Sequence, residues 1–334
     1  MFTSIHIQGL RGIREGKLEG LARLTVLMGP SGCGKSTVLE ALLLAASNRP
    51  PEALGRLISR RMGLRGGARY LFWARGDQSD SVAQISIESD RDAARLLQLI
   101  DVTSKEGRSS RPTGAELKVR MRVGSNWFEN MSFSTRPDNT VSVVSESPGI
   151  PPLGMVRLIG NHSLGDLHDV YSESLDRGEL DAALALFREV NPSMLDIRIA
   201  TDDGTPVLKV RYPDGAVPVA AEGDGFASMV RMALELSGRS AGCFLLEDPD
   251  SHQHIAAMAR SARVICAAVK AGAQIVLSTH SLELLDLLLD HAGEEGLKQL
   301  ALFQLQLTNG DLRARRLDGE EIRFARATIE KDLR

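Results

Sequence analysis

The stretch Gly29-Pro30-Ser31-Gly32-Cys33-Gly34-Lys35-Ser36-Thr37 constrains this chain more than any other. It satisfies the spacing G-x-x-x-x-G-K-[ST] in a context that gives the spacing physical meaning. Leu24–Met28 before it is a short apolar strand, and Ser36–Ala46 after it is a helix rich in Leu and Ala. Glycines let such a loop turn backbone N–H groups onto a β-phosphate, and the following helix N-terminus favours negative charge. Lys35 is then in reach of the β- and γ-phosphates, and the Ser36 hydroxyl is placed for Mg2+. The stretch predicts a site for a nucleoside triphosphate lined by Gly29 through Thr37.

With 334 residues, the chain can bury one large core, or a core and a smaller subdomain. Hydrophobic residues at 43% and charged residues at 25% exclude a disordered chain. No apolar run reaches 18 residues, and the start Met1-Phe-Thr-Ser-Ile-His lacks a signal peptide's pattern, so a cytoplasmic protein without a membrane partner is expected. Cys33, Cys243 and Cys266 are too few for a disulfide framework and lack metal-ligand spacing. Net charge is −3, so the chain as a whole does not advertise a polyanion partner. Locally, Arg49–Arg69 carries Arg49, Arg56, Arg60, Arg61, Arg65 and Arg69 against Glu52 alone, a candidate surface for duplex DNA or an acidic protein.

Phe2–Ile7 and Lys17–Glu19 read as strands around a turn at Gly9–Arg14, and Val82–Glu88 alternates as a strand. Asp92–Ile100 reads as a short helix. Ala115–Val123 is a half-exposed strand that sets Lys118, Arg120 and Arg122 against Leu117, Val119, Met121 and Val123, and its polar face reads as solvated. Ser145–Pro152 is a linker. Asp181–Val190 is a helix, and Asp196–Ala200 and Val207–Arg211 are strands around the turn at 202–204. His162 and His168, with Asp166 and Asp169, read as polar loop residues in preference to a metal cluster. Short strands and helices then alternate: helices at Asp224–Ser237, His254–Ala271 and Leu282–Leu289, and strands at Gly242–Leu246 and Gln274–Leu277. That order predicts a mostly parallel sheet covered on both faces. A hairpin turns at Thr308-Asn-Gly-Asp311, and Phe324–Leu333 closes the chain as a helix. The expected organisation is an α/β P-loop NTPase head made of residues 1–90 and 222–334, with 91–221 as an inserted α+β arm.

Hydrolysis requires a second strand that brings carboxylates to the metal and to water. Cys243-Phe-Leu-Leu-Glu247-Asp248-Pro249 has that form, with Glu247 a candidate for Mg2+ and Asp248 for the attacking water. The next strand ends in Ser278-Thr279-His280-Ser281, where His280 is placed to sense the γ-phosphate or position water.

Together these stretches resemble the ABC-type ATPases of the SMC/RecF/Rad50 class. They are most similar to the AAA family ATPases related to the ATPase half of overcoming-lysogenization-defect proteins. Walker A is Gly29–Thr37, and Walker B is Phe244–Asp248. The turn Pro249-Asp-Ser-His252 is similar to the family's E-x-x-L-H, and the switch is Ser278-Thr-His280-Ser. Glu222-Gly-Asp-Gly-Phe-Ala-Ser-Met-Val-Arg-Met-Ala-Leu234 is similar to its degenerate signature. The resemblance implies bound ATP and Mg2+, and two heads that sandwich two nucleotides. Gly223, Asp224, Gly225 and Ser228 would then face the partner head's γ-phosphate. It implies ATP-driven head dimerisation that gates DNA or an effector protein such as a nuclease, in DNA maintenance or phage defence.

The chain departs from the pattern in three ways. The usual Asp-Glu pair is reversed as Glu247-Asp248, which predicts slow turnover. Ser251 replaces a leucine, and the Q-loop glutamine has only Gln78 and Gln84 as candidates. Two alternatives follow: a DNA-binding or scaffold module that holds ATP without hydrolysing it, and a nuclease. The nuclease is disfavoured because only 27 residues follow Leu307, and Asp318, Glu320 and Glu321 read as solvated.

Overall fold

The computed structural model describes residues 1–59, 70–75, 78–79, 81–103, 115–135, 141–145, 149–151, 153–160, 166–236 and 242–329. The first strands are β1 (Phe2–Leu10), β2 (Ile13–Glu19) and β3 (Leu24–Met28), followed by helices α1 (Lys35–Ala46) and α2 (Pro50–Ser59). A small ribbon, β4 (Ala74–Arg75) and β5 (Gln78–Ser79), precedes β6 (Val82–Ser89), β7 (Arg95–Asp101), β8 (Ala115–Val123), β9 (Asn126–Thr135) and β10 (Val141–Ser145). Then come β11 (Val156–Ile159), α3 (Leu167–Asp176), α4 (Leu180–Val190), β12 (Asp196–Asp202), β13 (Thr205–Tyr212), β14 (Gly215–Pro218) and α5 (Asp224–Leu236). The chain continues through β15 (Cys243–Glu247), α6 (Ile255–Ala271), β16 (Gln274–Ser278), α7 (Leu282–Leu297), β17 (Leu300–Thr308), β18 (Asp311–Asp318) and α8 (Gly319–Ile329).

Two sequence patterns build the two halves of one 13-stranded sheet, ordered β10-β9-β8-β7-β6-β1-β2-β18-β17-β3-β16-β15-β11. Strands β3, β15 and β16 are apolar along most of their length and buried, as strands covered on both faces must be. They run parallel with β11 and β17. The strands β1, β6, β7, β8, β9 and β10 pair antiparallel, with burial alternating along most of their length. Helix α1 packs on one face through Val38, Leu42 and Ala45, in a core that spans both halves. On the other face, α6 and α7 cover the parallel strands through Ile265, Leu285 and Leu288. The sheet is therefore mixed rather than mostly parallel, and among the described residues its antiparallel wing carries helices on one face only.

Asp92–Ile100 is not a helix. Residues 95–101 form β7, with Arg95, Leu97 and Leu99 turned inward and Leu96, Gln98 and Ile100 outward. Leucine favours a helix locally, but pairing with β6 and β8 on both edges imposes the period of two. Strands β7 to β11 belong to the main sheet, so position 91 falls inside a continuous structure rather than at a break in it.

A separate core gathers Val170, Phe187, Ile197 and Val210 from α3, α4 and the three-stranded sheet β12-β13-β14. Helix α5 belongs to both bodies. Met229, Val230 and Ala233 enter this smaller core, whereas Met232 and Leu236 enter the core under α6 and α7.

Candidate nucleotide site

The stretch Gly29–Thr37 forms the turn from β3 into α1, with Gly29, Gly32 and Gly34 all at positive φ (149°, 78° and 99°). A side chain at position 29 could not fit. Its Cβ would stand 2.4 Å from the Leu305 carbonyl oxygen and 2.8 Å from Cys33 Sγ. Pro30, Ser31 and Gly32 are exposed at the rim, Cys33 is buried beneath it, and Ser36 and Thr37 lie half-buried in the first turn of α1. The buried Lys35 folds back over the loop, its Nζ donating to the carbonyls of Gly29 (2.8 Å) and Pro30 (3.2 Å). A glycine turn at a helix start with a lysine beside it is an arrangement whose backbone N–H groups favour an anion such as phosphate.

Parallel register carries the remaining candidates to the same edge. Glu247 pairs with Ser278, and Ser278 with Leu27, so Walker B, the switch and the phosphate loop leave the sheet at the carboxyl ends of three adjacent strands. Thr279 N–H donates to the Leu27 carbonyl (3.1 Å), fastening the switch to the loop's own strand. His280 is exposed at that edge. The hydroxyl of Ser36 and the carboxylate of Glu247 are hard oxygen donors of the kind Mg2+ takes.

Asp248 follows Glu247 with φ 44°, a left-handed conformation that Asp tolerates better than most residues. Ser278 holds it there. The Ser278 Oγ accepts from Asp248 N–H and donates to Asp248 Oδ1, both at 3.1 Å. The turn beyond is locked as well. Gln253 Nε2 donates to the Pro249 carbonyl (2.8 Å), and Ser261 Oγ donates to Gln253 Oε1 (2.8 Å). Ser251, in the leucine's place, closes the turn through its N–H to the Asp248 carbonyl (3.0 Å). His254 caps α6 by accepting from Ala256 N–H.

The signature segment starts α5. Gly223 and Asp224 are exposed, and Gly225 and Ser228 are half-buried. A Cβ on Gly225 would stand 2.4 Å from the His252 carbonyl oxygen, so the glycine lets the signature lie against the turn after Walker B. Among the described residues no hydrogen bond joins Gly223, Asp224, Gly225 or Ser228 to the loop of Gly29–Thr37. Farther along α5, the buried Glu235 receives Arg157 of β11 in a bidentate pair (3.0 and 2.9 Å), and Arg157 also bonds Glu173 of α3. These two carboxylates outweigh burial and hold the Arg157 guanidinium above its ordinary pKa.

Some functional neighbours carry no motif. Asp250, two residues beyond Asp248, accepts from Thr279 Oγ1 at 2.7 Å. Burial raises its pKa; the Thr279 hydrogen bond opposes that shift, and the Asp248 charge adds to it. A carboxyl raised in the folded state lends stability below its unfolded pKa and loses it as pH rises through the folded value. Asp250→Asn keeps the acceptor without the charge, so its melting temperature is expected above wild type at pH 8. The gain should shrink toward pH 4, as thermal melts across that range would measure. Gly160 also comes near, since a Cβ there would lie 3.1 Å from Glu247 Cβ.

Other candidates are not brought to this edge. Gln84 sits mid-strand in β6 between Gln8 and Gln98, not in a loop, and only the backbone of Gln78 is described. Arg11, in the turn after β1, pairs with the buried Glu40 of α1. Arg49 pairs with Glu52 (3.2 Å) and Arg56 is exposed on α2, while Arg60, Arg61, Arg65 and Arg69 lie outside the described residues. Asp166, His168 and Asp169 cluster within 4.8 Å at the surface, and His162 lies outside the described residues. Asp318 and Glu321 are not free carboxylates. They form a reciprocal cap on α8, each accepting from the other's N–H at 2.9 Å. Among the described residues no helix is long and apolar enough to cross a membrane.

Residues 4–129 match the family described as an AAA domain. The uncharacterized protein MJECL11 of Methanocaldococcus jannaschii is 31% identical over 113 residues, covering 34% of this chain and 98% of that protein. MJECL10 of the same organism is 23% identical over 203 residues, covering 58% of this chain and 88% of its own. Among solved structures, an SMC head domain from Pyrococcus furiosus, bound to the C-terminal domain of ScpA, superposes with a TM-score of 0.56 over 99% of both chains at 12% identity. That likeness shows the fold, that of an SMC head. With that domain and that fold, the chain belongs to the AAA family of ATPases with an ABC-type, SMC-like head.

Proposed function

We propose that this protein hydrolyses ATP and that ATP closes two heads on each other to gate a DNA or protein effector. The observation that carries the proposal is the register Glu247–Ser278–Leu27, which sets two acids and a histidine beside the phosphate loop. Lys35 holds the β- and γ-phosphates, and Ser36 and Glu247 hold Mg2+, which supplies charge neutralisation on the phosphates when bound. Asp248, fixed by Ser278, polarises water, and His280 senses the γ-phosphate. Gly223, Asp224, Gly225 and Ser228 lie exposed or half-buried at the start of α5, with no hydrogen bond to their own loop, which supports their service to a partner head's γ-phosphate. DNA maintenance and phage defence are roles such a switch suits, because closure by a ligand shifts a population that an effector reads. The ScpA domain on the P. furiosus head supports an effector protein as one such partner.

Light scattering with ATP on a slowly hydrolysing variant tests the gating. Doubling of mass with ATP, abolished by Ser228→Arg, is expected. If the slowly hydrolysing variant with Ser228 intact binds ATP and stays monomeric, head dimerisation is overturned.

A further inference from the structure

Among the described residues no helix lies over the outer face of the antiparallel wing, and the chemistry of that face is uneven. On β8, Lys118, Arg120 and Arg122 all point outward, about 6.8 Å apart along the strand. Opposite Arg122 on β9 stands Trp127, 41% exposed. The guanidiniums of Arg120 and Arg122 lie 4.8 and 5.7 Å from its ring centroid. Arg120 also bonds Glu129, whereas no carboxylate among the described residues pairs with Lys118 or Arg122. From this end the face continues as polar rungs. Arg120 stands beside Gln98, Gln98 beside Gln84, and Gln84 beside Gln8.

A large apolar ring left this exposed is unusual for a solvated strand. Two arginines contact the indole, and at 41% exposure the ring still offers surface on which a planar partner can stack. Lys118 and Arg122, four residues apart on one face of β8, suit successive phosphates of a chain, and the amides of the glutamine rungs suit base edges. We propose that this face binds single-stranded nucleic acid, with a base stacked on Trp127 and phosphates on Lys118 and Arg122. A duplex offers no free base face to the indole. An acidic peptide would use the cations but leave the ring and the glutamine rungs idle.

Binding is read by anisotropy of labelled 20-nucleotide dT and rU strands and a 20-base-pair duplex, without nucleotide triphosphate. Intrinsic tryptophan emission is followed in parallel. The chain has only two tryptophans, and Trp73 is 7% exposed, so quenching reports Trp127. Wild type is expected to bind one or both single strands more tightly than the duplex, with quenching; dT against rU separates DNA from RNA. Trp127→Ala should weaken binding roughly 5- to 100-fold, whereas Trp127→Phe stays within about threefold. Arg122→Gln and Lys118→Gln should each lower the slope of log affinity against log salt by about 0.7. If Trp127→Ala melts lower than wild type, those two surface variants carry the test. Equal affinity of all variants overturns the proposal, as does tighter binding of duplex or equal quenching by polyglutamate. Failure here leaves the ATP reading standing, because no ATP enters the assay, and loss of ATP turnover leaves this surface standing.

Discussion

Asp248→Asn is expected to lower ATP turnover by at least about 10²-fold while ATP affinity stays within a few-fold. The substitution is nearly isosteric, and Asn accepts the left-handed backbone at φ 44° as readily as Asp does. Asn also keeps an oxygen for the Ser278 hydroxyl, so the link to the switch strand survives. What disappears is the negative charge that draws a proton from water. Phosphate release and equilibrium binding of a fluorescent ATP analogue, measured on the same preparation, separate the two effects. Turnover at the wild-type rate would remove Asp248 from the chemistry. Lost binding with lost turnover would mean the acid supports the nucleotide rather than the water. The same variant supplies the slowly hydrolysing head for the dimerisation experiment, with and without linear duplex DNA.

The second large effect lies away from the nucleotide. Arg95→Met is expected to destabilise the protein by about 3 kcal/mol, the scale for breaking buried charge-assisted hydrogen bonds. Arg95 is 2% exposed, and burial pushes its guanidinium pKa down to about 10. Nη1 donates to the carbonyls of Ala46 (3.2 Å) and Ser47 (3.3 Å), and Nη2 donates to that of Pro151. Ala46 and Ser47 end the helix that begins at the phosphate loop, so the cation sits at the negative end of its dipole. Met fills much of the same volume but leaves the buried Ala46 carbonyl without this donor and removes the bonds to Ser47 and Pro151. Lys keeps the charge but cannot span carbonyls in two directions, so Arg95→Lys should recover only part of the loss. Urea unfolding measures both variants, and a midpoint for Arg95→Met equal to wild type would refute this account. ATP turnover of folded Arg95→Met should stay near wild type, because the arginine touches the far end of α1.

How much was legible depended on the range of the interaction. Gly29–Thr37 was legible in full because its demands are local: positive φ, an absent Cβ and a helix start. Glu247, Asp248 and His280 were legible as strand ends, and parallel register then brought them to one edge. Asp250 was not legible, because its burial and its Thr279 bond come from the adjacent strand. The strand at Arg95–Asp101 was missed because Leu-Leu-Gln-Leu-Ile suits either period until neighbouring strands select two. Asp318 and Glu321 read as solvated and are exposed, but their pairing as a cap was not legible until the start of α8 brought them together.

The sequence by itself determined the phosphate loop, the apolar strands that end in acids and a histidine, and the glycine-led helix at Asp224. Each of these depends on backbone conformation and short-range spacing. The tertiary structure alone decided that residues 95–145 join the head's own sheet, that α5 is shared between two cores, and that Arg157 ties it to the edge strand. It alone decided that Lys118, Arg120, Arg122 and Trp127 share an uncovered face. Those outcomes come from pairing between segments far apart in the chain. Local propensity carries no term for such pairing; burial and hydrogen bonding across the whole sheet do.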